Sequence, residues 1–179
     1  MIRFETIADL VQLATEEASP ISEIVLRSEA ESSRQSRFAV MATMGENWRV
    51  MKESIERGVE NRERSLSGLT GGDAEKLFAR RDKGDLGAAA LAAAAYAVGV
   101  SEVNAAMGRI VACPTAGSCG IVPAALYTAM KQGKSEEAII QSLFTAAGIG
   151  MVIEANASIA GATGGCQAEC GSAAGMAAA

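Results

Sequence analysis

Apolar residues recur at three- and four-residue steps along most of this chain, the period of helices buried on one side. Residues 6–17 read as an amphipathic helix capped by Thr6, with Ile7, Leu10, Val11 and Ala14 on one face. At Ser19-Pro20 a second helix begins, Ser19 as cap and Pro20 in the first helical position, with Ile21, Ile24, Val25 and Ser28 as its inner stripe. A third is predicted from about Arg37 to Arg57, where Phe38, Met41, Gly45, Trp48, Met51 and Ile55 keep the same rhythm and Gly58 ends it. Trp48 and the methionines read as core.

Asp73 starts a short helix reaching about Arg81. An alanine-rich helix follows over about 87–107, and its lack of a polar face before Ser101 predicts a central, buried element. Ile121 to Gln132 reads as a helix stopped by Gly133, and Ser135 opens another that runs to about Glu154. Only Arg109 to Ala112 could form a short strand. The expectation is an all-α fold: a single helical domain over 1–179, with N-terminal helices in 1–60 and a core of alanine-rich helices and glycine-rich loops in 61–179.

Composition sharpens this picture. Of 179 residues, 49% are hydrophobic but only 4% aromatic, so the core must pack through small side chains. Net charge is −5, and the basic residues between Arg49 and Arg81 alternate with acids, which argues against nucleic acid. The run Gly87 to Val98 is short for a bilayer span, and MIRFETIADL lacks the apolar core of a signal peptide, so a cytoplasmic protein without a membrane partner is expected. The absence of histidine removes Ser–His and Cys–His catalysis from within this chain. Cysteines at 113, 119, 166 and 170 read as free thiols or metal ligands, and their C-x5-C and C-x3-C spacings match no common zinc pattern.

Three segments carry candidate chemistry. In NASIAGATGGCQAECG (156–171), Gly164 and Gly165 allow a tight bend just before Cys166, and a helix is predicted to follow. A thiolate at a helix start is favoured by the local dipole and free amides, so Cys166 reads as a metal-binding or reactive thiol. Cys113 and Cys170 fit the alternative of a small buried hydrophobe. The loop CPTAGSCG sets Thr115, Gly117 and Ser118 before a helix, a layout that suits anion binding and equally a plain cap by Ser118. SLSGLTGG (65–72) leads into Asp73, and its LTGGDAE echoes ATGGCQAE (162–169) as a Thr-Gly-Gly turn entering a helix. It has no P-loop lysine, which argues against a nucleotide.

The blocks GLTGGDAEKL, EVNAAMG, PTAGSCGIVPAAL and NASIAGATGGCQAE followed by GSAAGMAAA resemble the alpha subunit of the iron–sulfur-dependent L-serine dehydratases, over nearly the whole chain. The resemblance implies deamination of L-serine to pyruvate and ammonia with a [4Fe–4S] cluster and no pyridoxal phosphate, one iron left open as Lewis acid on the serine hydroxyl. It makes Cys166 the first of three cluster ligands and places the other two in a later block that does not occur up to Ala179. Cys170 and Cys119 stand where relatives carry valine or alanine, so neither carries over as a ligand. Thr70, Gly71 and Gly72, with Thr115, Gly117 and Ser118, are candidates to hold the substrate carboxylate and amine; the catalytic base is unassigned. A beta subunit with a histidine-containing motif and an oligomeric enzyme are further expectations, as is a truncated, inactive chain, because GMAAA ends in mid-helix. From another class, a non-catalytic helical scaffold or partner-binding domain with inert thiols also accommodates the glycine loops.

Overall fold

The computed structural model describes residues 2–60, 64–83 and 87–179, and its regular structure is helical. The all-α class expected from the sequence is the one observed. Arg109 to Ala112 is irregular, and Arg64 and Gly71 share an isolated bridge. Contacts divide the described residues into two compact units, one of 2–46 with 135–179 and one within 47–134, and the boundary cuts a helix.

The first unit contains α1 (Ile7–Glu16), α2 (Ile21–Ser33), the start of α3 (Arg37–Glu60), α7 (Glu136–Asn156), α8 (Gly161–Cys166), a widened π turn (Gln167–Gly171) and α9 (Ser172–Ala178). Thr6 caps α1 as expected and forms a reciprocal box with Asp9, whose carboxyl is held below its usual range by the backbone amides of Glu5 and Thr6. The buried face differs from the expected one. Leu10 is buried with Leu13 and Ala14 packed beside the core, while Ile7 and Val11 are 43% and 50% exposed. Pro20, in extended conformation, is itself the cap of α2, and Ser19 turns its hydroxyl back to Glu17 O. Ile24, Val25, Leu26, Val40, Phe144 and Val152 complete this core with Leu10. Here α7 lies close on α2 at Gly148, where a Cβ would stand 2.5 Å from Val25 Cγ2.

The second unit contains the rest of α3, α4 (Asp73–Ala79), α5 (Ala88–Ala105), α6 (Ile121–Lys131) and 3₁₀ turns at Arg81–Lys83 and Ala116–Ser118. Trp48, Met51 and Ile55 are buried as expected, and Phe38, in the first unit, is 83% exposed. Gly58 does not end α3. It lies inside the helix because a Cβ there would stand 2.3 Å from Gly99 O of α5, so glycine is the residue that lets the two backbones meet. Gly120, at the start of α6, would likewise bring a Cβ to 2.2 Å from Ala97 O. The alanine-rich α5 is buried along Ala95, Tyr96, Gly99, Val100, Glu102 and Val103, while its first turn, Ala88 to Ala90, is exposed. Tyr96 packs edge-on against Tyr127 with ring centroids 4.8 Å apart.

Because α5 continues to Ala105, it is longer than the alanine run alone, and by length and composition α5 and α7 are each able to cross a bilayer, with mean hydropathies of 1.3 and 1.6. The same length and apolarity describe the core helices of globular proteins.

The glycine contacts give paired expectations. Gly58→Ala forces backbone apart and should lower the unfolding free energy by about 1–3 kcal/mol or more. Gly45→Ala, also inside α3 but 3.9 Å from Ile140 Cδ1, should raise it by roughly 0.5–1 kcal/mol through helix propensity. Urea titration followed by circular dichroism reads both.

Candidate functional site

Cys166 belongs to the first unit and the other candidate residues to the second. Asn156 closes α7 by donating to Val152 O at 2.9 Å and to Glu5 O at 2.7 Å, which ties down the start of the glycine segment. A first helical turn then forms on Ala160, whose carbonyl accepts from Thr163 N and Gly164 N at 3.0 Å. Gly165 breaks it with φ 66° and ψ −164°, a conformation open essentially to glycine alone. Cys166 returns to helical geometry and leads into the π turn, so the thiol stands at the start of a helical run, as the sequence predicts. Gly164 is fixed by crowding, since a Cβ there would stand 2.6 Å from Ala168 Cβ. Ala162 to Gln167 are all exposed, and Ser172 anchors the far side through Ala168 O.

The four thiols separate by environment. Cys166 and Cys170 are free and exposed, and Cys113 and Cys119 are free and buried. The exposure of Cys170 departs from the buried role expected of it; it lies in the widened π turn rather than on a packed helix face. Burial pushes the Cys113 and Cys119 thiols from 9.0 up to about 11, with the neighbouring Cys119 adding to the shift of Cys113. Buried thiols in such a setting are inert compared with exposed ones. Among the described residues no three His, Cys, Asp or Glu side chains gather to hold a metal.

The Cys113–Cys119 loop is braced from within. Ser118, 2% exposed, donates to Cys113 O at 3.2 Å and lies 3.2 Å from Thr115 Oγ1. Ser118 N and Cys113 N both bond Thr115 O. Ser118 therefore holds the loop and does not cap α6, whose cap, Gly120, receives no side-chain bond. Thr115 is half-buried and Gly117 exposed.

The other loop ends on two left-handed glycines, Gly71 at φ 125° and Gly72 at φ 82°, both buried. Ser65 closes it, through Ser65 N to Thr70 O at 2.9 Å and Thr70 N to Ser65 Oγ at 3.2 Å, leaving Thr70 exposed. The Thr-Gly-Gly echo is thus not an echo of shape: in the second copy Gly164 is helical and Gly165 alone is left-handed.

Two residues missed by sequence reasoning connect these loops to α5. Glu102 Oε1 accepts from Asp73 N at 2.7 Å and Ala74 N at 3.4 Å, the first amides of α4. Asn104 Nδ2 donates to Ala116 O at 3.1 Å. Both lie in the EVNAAMG block, and the signal was a carboxylate at the end of a long apolar helical run, where only a partnered charge is tolerated. The amides at the start of α4 are therefore already engaged by a carboxylate.

A family model described as "Serine dehydratase alpha chain" matches residues 16–179. The chain is 43% identical to the probable L-serine dehydratase alpha chain of Bacillus subtilis over 179 residues, 98% of this chain and 59% of the relative. It is 37% identical to the L-serine dehydratase alpha chain of Peptoniphilus asaccharolyticus, over 97% of this chain and 61% of that one. With the L-serine dehydratase of Streptomyces coelicolor the identity is 39%, over 98% of this chain and 39% of the relative. The chain thus spans less than two thirds of the length of each of these relatives.

The thiol environments predict a labelling order. At pH 8 an alkylating reagent should modify Cys166 and Cys170 and spare Cys113 and Cys119 until the chain unfolds, read by peptide mass spectrometry. The folded state holds the two buried thiol protons more tightly than the unfolded state does. Their contribution to stability is therefore full below pH 9.0 and should be lost as pH rises toward about 11.

Proposed function

The chain belongs to the serine dehydratase alpha-chain family, and from that membership we propose that it forms part of an L-serine dehydratase, a lyase that converts L-serine to pyruvate and ammonia. What carries this reading is the family match over 16–179 together with an exposed thiol, Cys166, presented by a glycine-only backbone turn inside the matched region.

We propose a [4Fe–4S] cluster as cofactor, with Cys166 as one of its ligands. The donor set fits in that limited sense. Cys166 is free, exposed and set among small residues, whereas Cys113 and Cys119 are buried and protonated. The described residues gather no three such donors in one place, and in this reading the remaining ligands lie outside them. When bound, such a cluster supplies an open iron that acts as Lewis acid on the serine hydroxyl, without pyridoxal phosphate.

The chain's own residues bind and orient. In this reading Thr115 offers its hydroxyl to the substrate from a loop that Ser118 and Asn104 hold in shape. Thr70, Gly71 and Gly72 border the substrate through a turn fixed by Ser65. The buried thiols at the two ends of the Thr115 loop keep their protons at neutral pH. A beta subunit as partner is supported by the names of the Bacillus and Peptoniphilus relatives, both alpha chains. A cytoplasmic, reducing setting suits two exposed free cysteines.

In the complete enzyme, Cys166→Ala should abolish bound iron and pyruvate formation, while Cys113→Ala, Cys119→Ala and Cys170→Ala keep most of both. Iron counting and a pyruvate assay on anaerobic protein decide, and full iron with normal turnover in Cys166→Ala sinks the assignment. Thr115→Val removes one bond to a charged group and should raise the KM for serine roughly ten- to a hundredfold with iron retained. An unchanged KM leaves that loop a purely structural brace.

A further inference from the structure

Gly72 is bordered by two opposite charges that have no assigned role in the reaction. Arg64 Nη2 lies 3.9 Å from the place a Cβ would take on Gly72, and the side chain is exposed. Glu102 is 6% exposed, and its carboxylate is aimed at the turn, since Oε1 accepts from Asp73 N, the residue after Gly72, at 2.7 Å. Its second oxygen, Oε2, is buried and meets no hydrogen-bond donor. Among the described residues no ion pair joins Arg64 to Glu102. A fold rarely retains a buried carboxylate oxygen without a donor, because the desolvation is uncompensated. Capping α4 uses only Oε1, so the cap explains the carboxylate's position and leaves Oε2 unexplained.

Building on the serine reading, we propose that this turn recognises both charged ends of a free α-amino acid, Glu102 Oε2 taking the ammonium group and Arg64 the carboxylate. An ammonium group is compact and carries three donors, which suits a single buried oxygen; a guanidinium presents a planar fork that suits a carboxylate. Gly72, beside Arg64, brings no side chain into the space. The hydrogen bonds that close the loop are centred on Ser65 and none involves Glu102, so Oε2 is not spent on holding the loop. Requiring both charges selects a free amino acid over the same residue inside a peptide, which has neither, or at a peptide end, which has one. Glu102 is then a substrate-binding residue as well as the anchor of α4.

The test uses two probes that each carry one end of serine: ethanolamine, with the ammonium alone, and 3-hydroxypropanoate, with the carboxylate alone. Binding to the complete enzyme is measured by calorimetry, so it does not depend on turnover. Glu102→Gln keeps an oxygen to cap α4 and loses the charge. It should weaken ethanolamine roughly 10- to 100-fold and leave 3-hydroxypropanoate unchanged. Arg64→Gln should do the reverse. A Glu102→Gln enzyme that weakens both probes alike, or neither, overturns the proposal, since a structural role cannot tell the probes apart. Should Glu102→Gln fail to fold by circular dichroism, Arg64→Gln at its exposed position decides, and unchanged 3-hydroxypropanoate binding overturns the proposal. Wild-type enzyme that binds neither probe also overturns it. Wild-type enzyme that binds both but makes no pyruvate from L-serine refutes the serine reaction and leaves amino-acid recognition standing.

Discussion

Backbone meets backbone where α3 crosses α5 at Gly58 and Gly99, and again where α6 begins at Gly120 against Ala97. The second unit depends on these contacts. They fix α5 between its neighbours, and from the end of α5 hang the two candidate loops of this unit. Glu102 holds the amides that follow Gly72, and Asn104 holds Ala116. With few aromatic side chains to fill space, the helices gain cohesion by approaching closely, which multiplies short-range contacts between small groups. A shift of α5 would therefore displace the two loops together, although they are distant in sequence.

The other unit positions its thiol by a different device. Gly165 supplies a backbone conformation instead of an absence of bulk, since nothing stands near the Cβ position there, while Gly164 just before it is held by contact with Ala168. Adjacent glycines thus do different physical work, one through φ and ψ and the other through space. Together they turn Cys166 outward at the start of a helical run, away from the buried setting that keeps Cys113 and Cys119 protonated.

Much of this was legible in the residues. Periodicity located the helices, and Thr6 and Ser135 cap as their chemistry suggests. What failed were inferences needing three dimensions. Gly58 looks like a terminator because its packing partner is 41 residues away in sequence, and only the crossing shows why a helix keeps it. Ile7 and Val11 share a face with Leu10 by period, yet the core is narrow enough to take Leu10, Leu13 and Ala14 instead. Cys170 reads as core by composition and is exposed by the π turn, which no local pattern announces. At the site, Cys166 and its glycines were visible as chemistry, whereas Glu102 lay in an alanine-rich helix and acquired meaning only from the amides it meets.

The Gly58–Gly99 crossing also constrains how this sequence can drift. In most cores a gain of volume on one side is offset by a loss on the other, so neighbouring positions wander together over generations. Here both partners are already at the smallest residue the genetic code offers. An enlargement at one has no compensating reduction at the other, and the usual two-step route through a paired substitution is closed. The crossing is a point where neutral variation ends, while the alanines around it remain free to exchange volume with their neighbours.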